Sequence, residues 1–428
     1  MSELDGESAA RAATGVVAGR GRQAAVTPRI LIRDKDFRRI WLAGGLGWMM
    51  RWLEILAVGV FTFEVTGSAL MVALLTMVRT LPMLFFSAFT GAIADRFDRR
   101  LMLLCGLCLL ALISSVLAFL ALTGRIELWH VALGAFASGL YGTLEFPVRR
   151  TMLGIIAGNK AGTDGAGVAM TLDSATNHCM RLVGPVLGGL VLQSFGLPGI
   201  YLLGAVLFSL GFWFVWGARY EATAHGAPAP RMLAQIVEGL RYIRSDPRVM
   251  GTLFITMVVN LFGFPYGAMV PVIGAQVLGQ EAVATGLLLS ADATGALLGA
   301  TVIANLARPR HFSRIYYYGS VVFLCAIFAF SLSQWYSLSL GILFLGGLGV
   351  AGFAAMQSTI IFTAAPPEMR SRLMGVLAVC IGVNPLGVLQ LGLLADRFGG
   401  AMAVSIMTGE GIVALVLASL IWPHIRRR

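Results

Sequence analysis

The side chains of this chain that could do chemistry are charged and polar groups set inside apolar runs. Arg51 and Glu54 lie three apart in the run Ile40–Phe63, on one helical face, where they can pair with each other. Asp173, Asn177 and Arg181 recur at i, i+4 and i+8 and form a polar stripe along another helix. Arg79, Glu145, Asp292 and Glu410 are single charges in four further runs, and Asn260 and Asn384 add neutral polar groups to two more. An ionised side chain at the centre of a bilayer costs about 2.5–3.5 kcal/mol. Groups kept there despite that cost mark a solvated substrate pathway, a proton site, or ion pairs between helices. A carboxylate in such a place can carry a proton, and an arginine can hold an anionic group. Glu145 lies close to the end of its run, where snorkelling or a loop position is the structural alternative. His178 reads first as a packed helix histidine, with proton carriage as its alternative.

Other chemistries find no support. The five histidines do not cluster with acidic residues as a membrane-embedded acyltransferase would require. Gly158-Asn-Lys160-Ala-Gly-Thr163 lacks the Gly-Lys pair of a phosphate-binding loop, so neither ATP nor any other cofactor is implied. Cys105 and Cys108 have C-x-x-C spacing, but they sit in an apolar run without a second pair. All five cysteines are expected to be free, and no metal site is expected.

The elements that must position these groups follow from composition. Of 428 residues, 57% are hydrophobic and 12% charged, and mean hydropathy is +0.82. A soluble domain carries about 25% charged residues. The expected fold is an all-α membrane protein, because lipid leaves no solvent for unpaired backbone groups. A crossing needs about 20 mostly apolar residues. Twelve spans are expected, numbered here in chain order: Ile40–Phe63, Ala69–Phe89, Leu101–Thr123, Leu128–Phe146, Gly167–Leu192, Gly199–Trp216, Val249–Val272, Ala284–Ala307, Ile315–Leu332, Leu338–Ala364, Leu373–Leu394 and Ala401–Trp422. They divide into a cytoplasmic tail (1–39), a six-helix bundle (40–217), a linker (218–248), a second six-helix bundle (249–422) and a short C-terminus (423–428). In the linker, Leu233, Ile236, Val237, Leu240 and Ile243 share one face and predict an amphipathic surface helix.

The net charge of +11 comes from 32 Lys and Arg against 21 Asp and Glu, and its placement decides its meaning. The tail, the linker, the connections on their side and the C-terminus hold 27 of the 32, whereas the opposite side holds only Arg125 and Arg397. This asymmetry predicts cytoplasmic termini and a bilayer partner, not nucleic acid. The halves also repeat weakly. Gly184-Pro185 in span five has Asn384-Pro385 as its counterpart in span eleven, and the two runs end in Phe195-Gly196 and Phe398-Gly399.

After span two the chain reads Gly91-Ala-Ile-Ala-Asp95-Arg96-Phe97-Asp98-Arg99-Arg100. This closely resembles the signature loop of the major facilitator superfamily, with Asp98 where many members have glycine. The resemblance implies a loop, carried by Gly91, Asp95, Arg96, Arg99 and Arg100, that latches the two halves in one state and releases them in another. In span five, Gly184-Pro185-Val-Leu-Gly188-Gly189 is similar to part of a motif of exporting members, although Met180 stands where that motif has an upstream glycine. Further stretches resemble the branch containing the enterobactin exporter and macrolide-efflux-like transporters. They are Arg79-Thr-Leu-Pro82, Pro147-Val-Arg-Arg150, Glu238-Gly-Leu-Arg-Tyr242 and Arg370-Ser-Arg372-Leu-Met-Gly375. Span four lacks the mid-span arginine of many drug–proton antiporters.

Together these features predict a secondary transporter of the major facilitator fold in a bacterial inner membrane. Its expected work is proton-coupled export of a small organic molecule of drug, macrolide or siderophore type, by a monomer that encloses its own pathway. Import or facilitated passage on the same fold is the alternative. Arg51, Glu54, Arg79, Asp173, Asn177, Arg181, Asn260, Asp292 and Asn384 are the expected pathway residues.

Overall fold

The computed structural model describes residues 28–220, 246–306 and 308–427, with backbone alone at 87–96 and at 161, 163, 164, 304, 306, 309, 367, 368, 371, 426 and 427. The tail up to residue 27 and the expected linker helix lie outside these residues.

Every regular element among the described residues is a helix. Eleven helices are long and apolar enough to cross a membrane, and ten of them coincide with one expected span each. The other, Gly165–Gly217, has 53 residues. Drawn straight it would be about 80 Å long, whereas the hydrocarbon core is about 30 Å thick. It turns back at Gly196, where φ is +63°, followed by Pro198. A left-handed residue without a Cβ is the ordinary way to reverse a helix. Spans five and six are its two limbs, so the described residues hold enough apolar helix for the twelve expected crossings. The turn at the end of span eleven uses the equivalent glycine of the repeat, Gly399, at φ +82°.

Span boundaries follow caps more than apolar runs. Span one begins at Lys35, ahead of Ile40, because Asp34 Oδ1 accepts the amide N–H groups of Asp36 and Phe37 at 3.1 and 2.8 Å. A short helix, Pro28–Arg33, precedes it. Two spans that read as continuous are broken. Span seven runs Pro247–Val258, then a π turn Val259–Gly263, a 3-10 turn Phe264–Ala268, and Val270–Gln276. Span eleven is split into Pro367–Ile381 and Asn384–Phe398. Pro265 and Pro385 cannot donate a backbone hydrogen bond, so the helical ladder lapses beside each.

The first six spans close around Leu53, Leu107, Met152 and Ile200, the last six around Val259, Phe323, Phe330 and Leu343. Val72 and Ala73 of span two pack into the second core, which joins the bundles along a seam. All five cysteines are free, and Cys105 and Cys108 are exposed on the outer surface.

Candidate transport site

Between the two bundles lies a cavity of about 460 Å³, within the range that encloses drug-sized ligands. Its wall takes Arg51, Trp52, Arg79, Arg181 and Pro185 from the first bundle. From the second it takes Asn260, Phe264, Tyr266, Asp292, Phe353, Gln357 and Asn384. The irregular turns of span seven and the break in span eleven supply several of these groups. Local departures from the helical ladder are therefore what turn Asn260, Tyr266 and Asn384 toward the space between the bundles. The sequence reading missed Trp52, Phe264, Tyr266, Phe353 and Gln357. Only the crowding of Gly263, Pro265 and Gly267 signalled a break near Tyr266.

The charges pair differently from the pattern read along single helices. Glu54 does not pair with Arg51; it accepts from Arg79 of span two at 2.9 Å, with both side chains buried. Arg79 reaches Glu54 from a neighbouring helix, whereas Arg51 stands in the wall between this cavity and a smaller one inside the first bundle, its guanidinium 5.5 Å from the centre of the Trp48 ring and against Gly142 of span four. The stripe on span five also divides. Asp173 does not line the cavity; it is buried against Arg149, which also pairs with Glu145, and receives Arg150 at 2.9 Å. Asn177 likewise turns inside the first bundle, accepting from Trp52 Nε1 at 3.2 Å. Of the three, Arg181 alone reaches the cavity. Glu145 is thus a helix ion-pair residue, and Glu410 is exposed beside Gln390, away from the cavity. His178 is also absent from its lining. A second cavity of about 40 Å³ lies within the first bundle, where Arg51, Glu54, Arg79, Glu145 and Arg149 converge. It has room for a few water molecules.

Arg181 is the charged link between the bundles: its Nη2 pairs with Asp292 Oδ2 of span eight. Its guanidinium lies 5.4 Å from the Trp52 ring, and the Tyr266 hydroxyl faces the same carboxylate. From this pair an antiparallel seam runs to the end of the molecule opposite the chain termini. Ser290 donates to the Leu182 carbonyl at 2.5 Å, Gly286 faces the Pro185 carbonyl, Gly189 faces Ala282, and Gln193 meets Glu281. Each step forward along span five is matched by a step back along span eight. A Cβ on Gly286 would meet the Pro185 oxygen at 2.5 Å, and one on Gly189 would meet the Ala282 oxygen at 2.6 Å. The glycines here are a condition of backbone contact. Gly184 and Gly188 face Trp52 and Leu53 of span one in the same manner, so they serve packing inside the first bundle. Gly392 of span eleven rests on Ala73 of span two, and Gly59 on Pro271, at the same end. The cavity is thus covered at that end.

At the terminus-bearing end, the side chains of Gly91, Asp95 and Arg96 lie outside the described residues. Arg99 donates to the Tyr220 hydroxyl at 3.2 Å, and Arg100 binds the carbonyls of Val215 and Trp216, the last of span six. These contacts lie within their own half, and those of Arg100 satisfy helix-end carbonyls. Asp98 caps span three through the Leu101 amide at 2.8 Å, which explains an acidic residue in place of the usual glycine.

Comparisons with known proteins agree with this architecture. The chain is 27% identical to the multidrug efflux pump Tap of Mycolicibacterium fortuitum, over 86% of this chain and 92% of that protein. It is 21% identical to the staphyloferrin A transporter of Staphylococcus aureus (83% and 88%) and to macrolide efflux protein A of Streptococcus pyogenes (85% and 90%). The crystal structure of the POT family transporter PepTSo superposes with a TM-score of 0.72 at 14% identity, covering 94% of this chain and 99% of that one. The family model described as transmembrane secretion effector matches residues 26–426, and the chain belongs to that family, a membrane transporter of the major facilitator superfamily.

Proposed function

We propose that this transporter is a proton-coupled exporter of small organic molecules, working by alternating access in the bacterial inner membrane with both termini in the cytoplasm. The observation that carries the reading is the Arg181–Asp292 pair, a charge link between the halves in the wall of the central cavity. With cytoplasmic termini, the covered end is extracellular and the cavity receives substrate from inside the cell. The concentration of Lys and Arg on the terminus side supports that orientation.

The pair supplies a coupling step. Opening the covered end separates Arg181 from Asp292, and a buried charge left without its partner costs about 3–5 kcal/mol. A proton taken by Asp292 from the newly opened outer side removes the anionic part of that cost. Closure re-forms the pair, which requires the carboxylate to give its proton up while the cavity faces inward. Substrate leaves and a proton enters in each cycle. One chain encloses the cavity, so a monomer suffices. The relationship to the efflux pump Tap and to macrolide efflux protein A supports the outward direction for the substrate.

The test is efflux from exporter-deficient bacterial cells expressing the chain, loaded in turn with siderophores, macrolides and dyes, with and without a protonophore. Retention of at least one compound should fall, and the protonophore should abolish the difference. Asp292→Asn should retain normal membrane levels and lose the response to a proton gradient. Gradient-driven efflux at the parental rate by Asp292→Asn would overturn the coupling role.

A further inference from the structure

The charges around the transport cavity do not balance. Arg51, Arg79 and Arg181 line it with Asp292, while Glu54, Glu145 and Arg149 face the small cavity behind it and Arg150 and Asp173 lie further inside the first bundle. Each of the four carboxylates already holds an arginine. Among the described residues no carboxylate lies within ion-pair distance of Arg51, although it stands in the wall shared by both cavities. Its guanidinium presents a planar donor fork of the shape that fits a carboxylate or sulfonate.

An incoming cation would find no free carboxylate. It would have to take Asp292 from Arg181 or Glu54 from Arg79, breaking a buried pair, and it would approach Arg51 against like charge. An incoming anion breaks nothing and gives Arg51 the direct ion-pair partner that none of the four carboxylates supplies. The rest of the wall is apolar and aromatic, with Trp52, Phe264 and Phe353, and it carries the amides of Asn260, Gln357 and Asn384 on the opposite bundle.

We infer that the substrates are organic anions, with a carboxylate or sulfonate held by Arg51 and a largely aromatic body lying against Trp52, Phe264 and Phe353. This rests on the reading of the cavity as the transport site. A single small inorganic anion at Arg51 is the other source of the same chemistry.

Three dansyl probes of matched size test it: dansylaminohexanoic acid, its methyl ester, and the amine dansylcadaverine. Binding of each to the full chain in nanodiscs is followed by fluorescence, independently of transport. The acid should bind about tenfold or more tighter than the ester, and the amine more weakly than the ester. Arg51→Gln should erase the advantage of the acid over the ester, and Arg51→Lys should keep part of it; thermal unfolding confirms that both variants are folded. Replacing gluconate with chloride at about 150 mM should leave the acid's advantage in place. Equal or amine-favoring binding, or an acid advantage untouched in Arg51→Gln, overturns the inference. Loss of the advantage in chloride assigns Arg51 to an inorganic anion and also overturns it. If the acid binds selectively but no dansyl probe moves across proteoliposomes, the substrate chemistry stands and the transport reading is what fails.

Discussion

Arg149 is 1% exposed and lies against Gly44, where a Cβ would meet its guanidinium at 2.5 Å. Glu145 and Asp173 hold its charge from span four and span five, while Arg150, with 31% of its side chain exposed, adds a second hold on Asp173. Removing Arg149 takes the ion-pair partner from Glu145 and one of two from the buried Asp173, whereas removing Arg150 leaves Asp173 still paired. Arg149→Met is therefore expected to cost about 3–5 kcal/mol and Arg150→Met about 1 kcal/mol or less. Thermal unfolding in detergent, followed by tryptophan fluorescence, compares them; equal effects would show that the buried cluster does not stabilise the bundle through its charges. The same residues show what a single sequence conveys at this scale. The i, i+3 spacing of Arg51 and Glu54 correctly places them on one span, but spacing cannot reveal that Arg79 approaches from the neighbouring helix. The i, i+4, i+8 stripe predicts one face for Asp173, Asn177 and Arg181, yet span five borders the first bundle at one level and span eight at another. Partner choice depends on what lies opposite, and hydropathy carries no record of that.

At the scale of elements, apolar runs and small-residue motifs were legible because they act through the chain itself. Gly196 and Gly399, found as ends of a repeat, both take a positive φ where a span closes. The breaks in spans seven and eleven were masked by apolar length, with only the Gly263, Pro265 and Gly267 cluster to signal the one in span seven. They are nonetheless where the site is built. The seam of spans five and eight gives the clearest element-level expectation. Its backbone contact at Gly286 leaves no space for a side chain, and Leu56 Cδ2 adds a further obstacle at 3.1 Å. Gly286→Val should force the two helices apart and favour the state open at the seam, with transport reduced at least about tenfold and the protein still inserted. A parental rate in this variant would mean that closure there is not a step of the cycle.

For the whole molecule, alternating access requires that the cavity communicate with one side at a time. Thr80 of span two lines it, and the bundles meet over it at the end away from the termini through Gly286, Gly189, Gly392 and Gly59. With a cytoplasmic terminus side, a cysteine at Thr80 should react with a membrane-impermeant maleimide in everted vesicles and not in intact cells. The measurement needs a background in which the five native cysteines are replaced, because Cys105, Cys108, Cys179 and Cys325 are exposed on the outer surface. Adding Gly286→Val should make Thr80→Cys reactive in intact cells as well, because that substitution acts only on the covered end. The two results answer different questions. Reaction of Thr80→Cys in intact cells alone would invert the orientation and, with it, the export direction, while leaving the fold unchanged. Protection of Thr80→Cys in both preparations would show a cavity occluded at both ends. A change brought by Gly286→Val would tie access to the seam that begins at Arg181 and Asp292, linking the ion pair to the motion of the bundles.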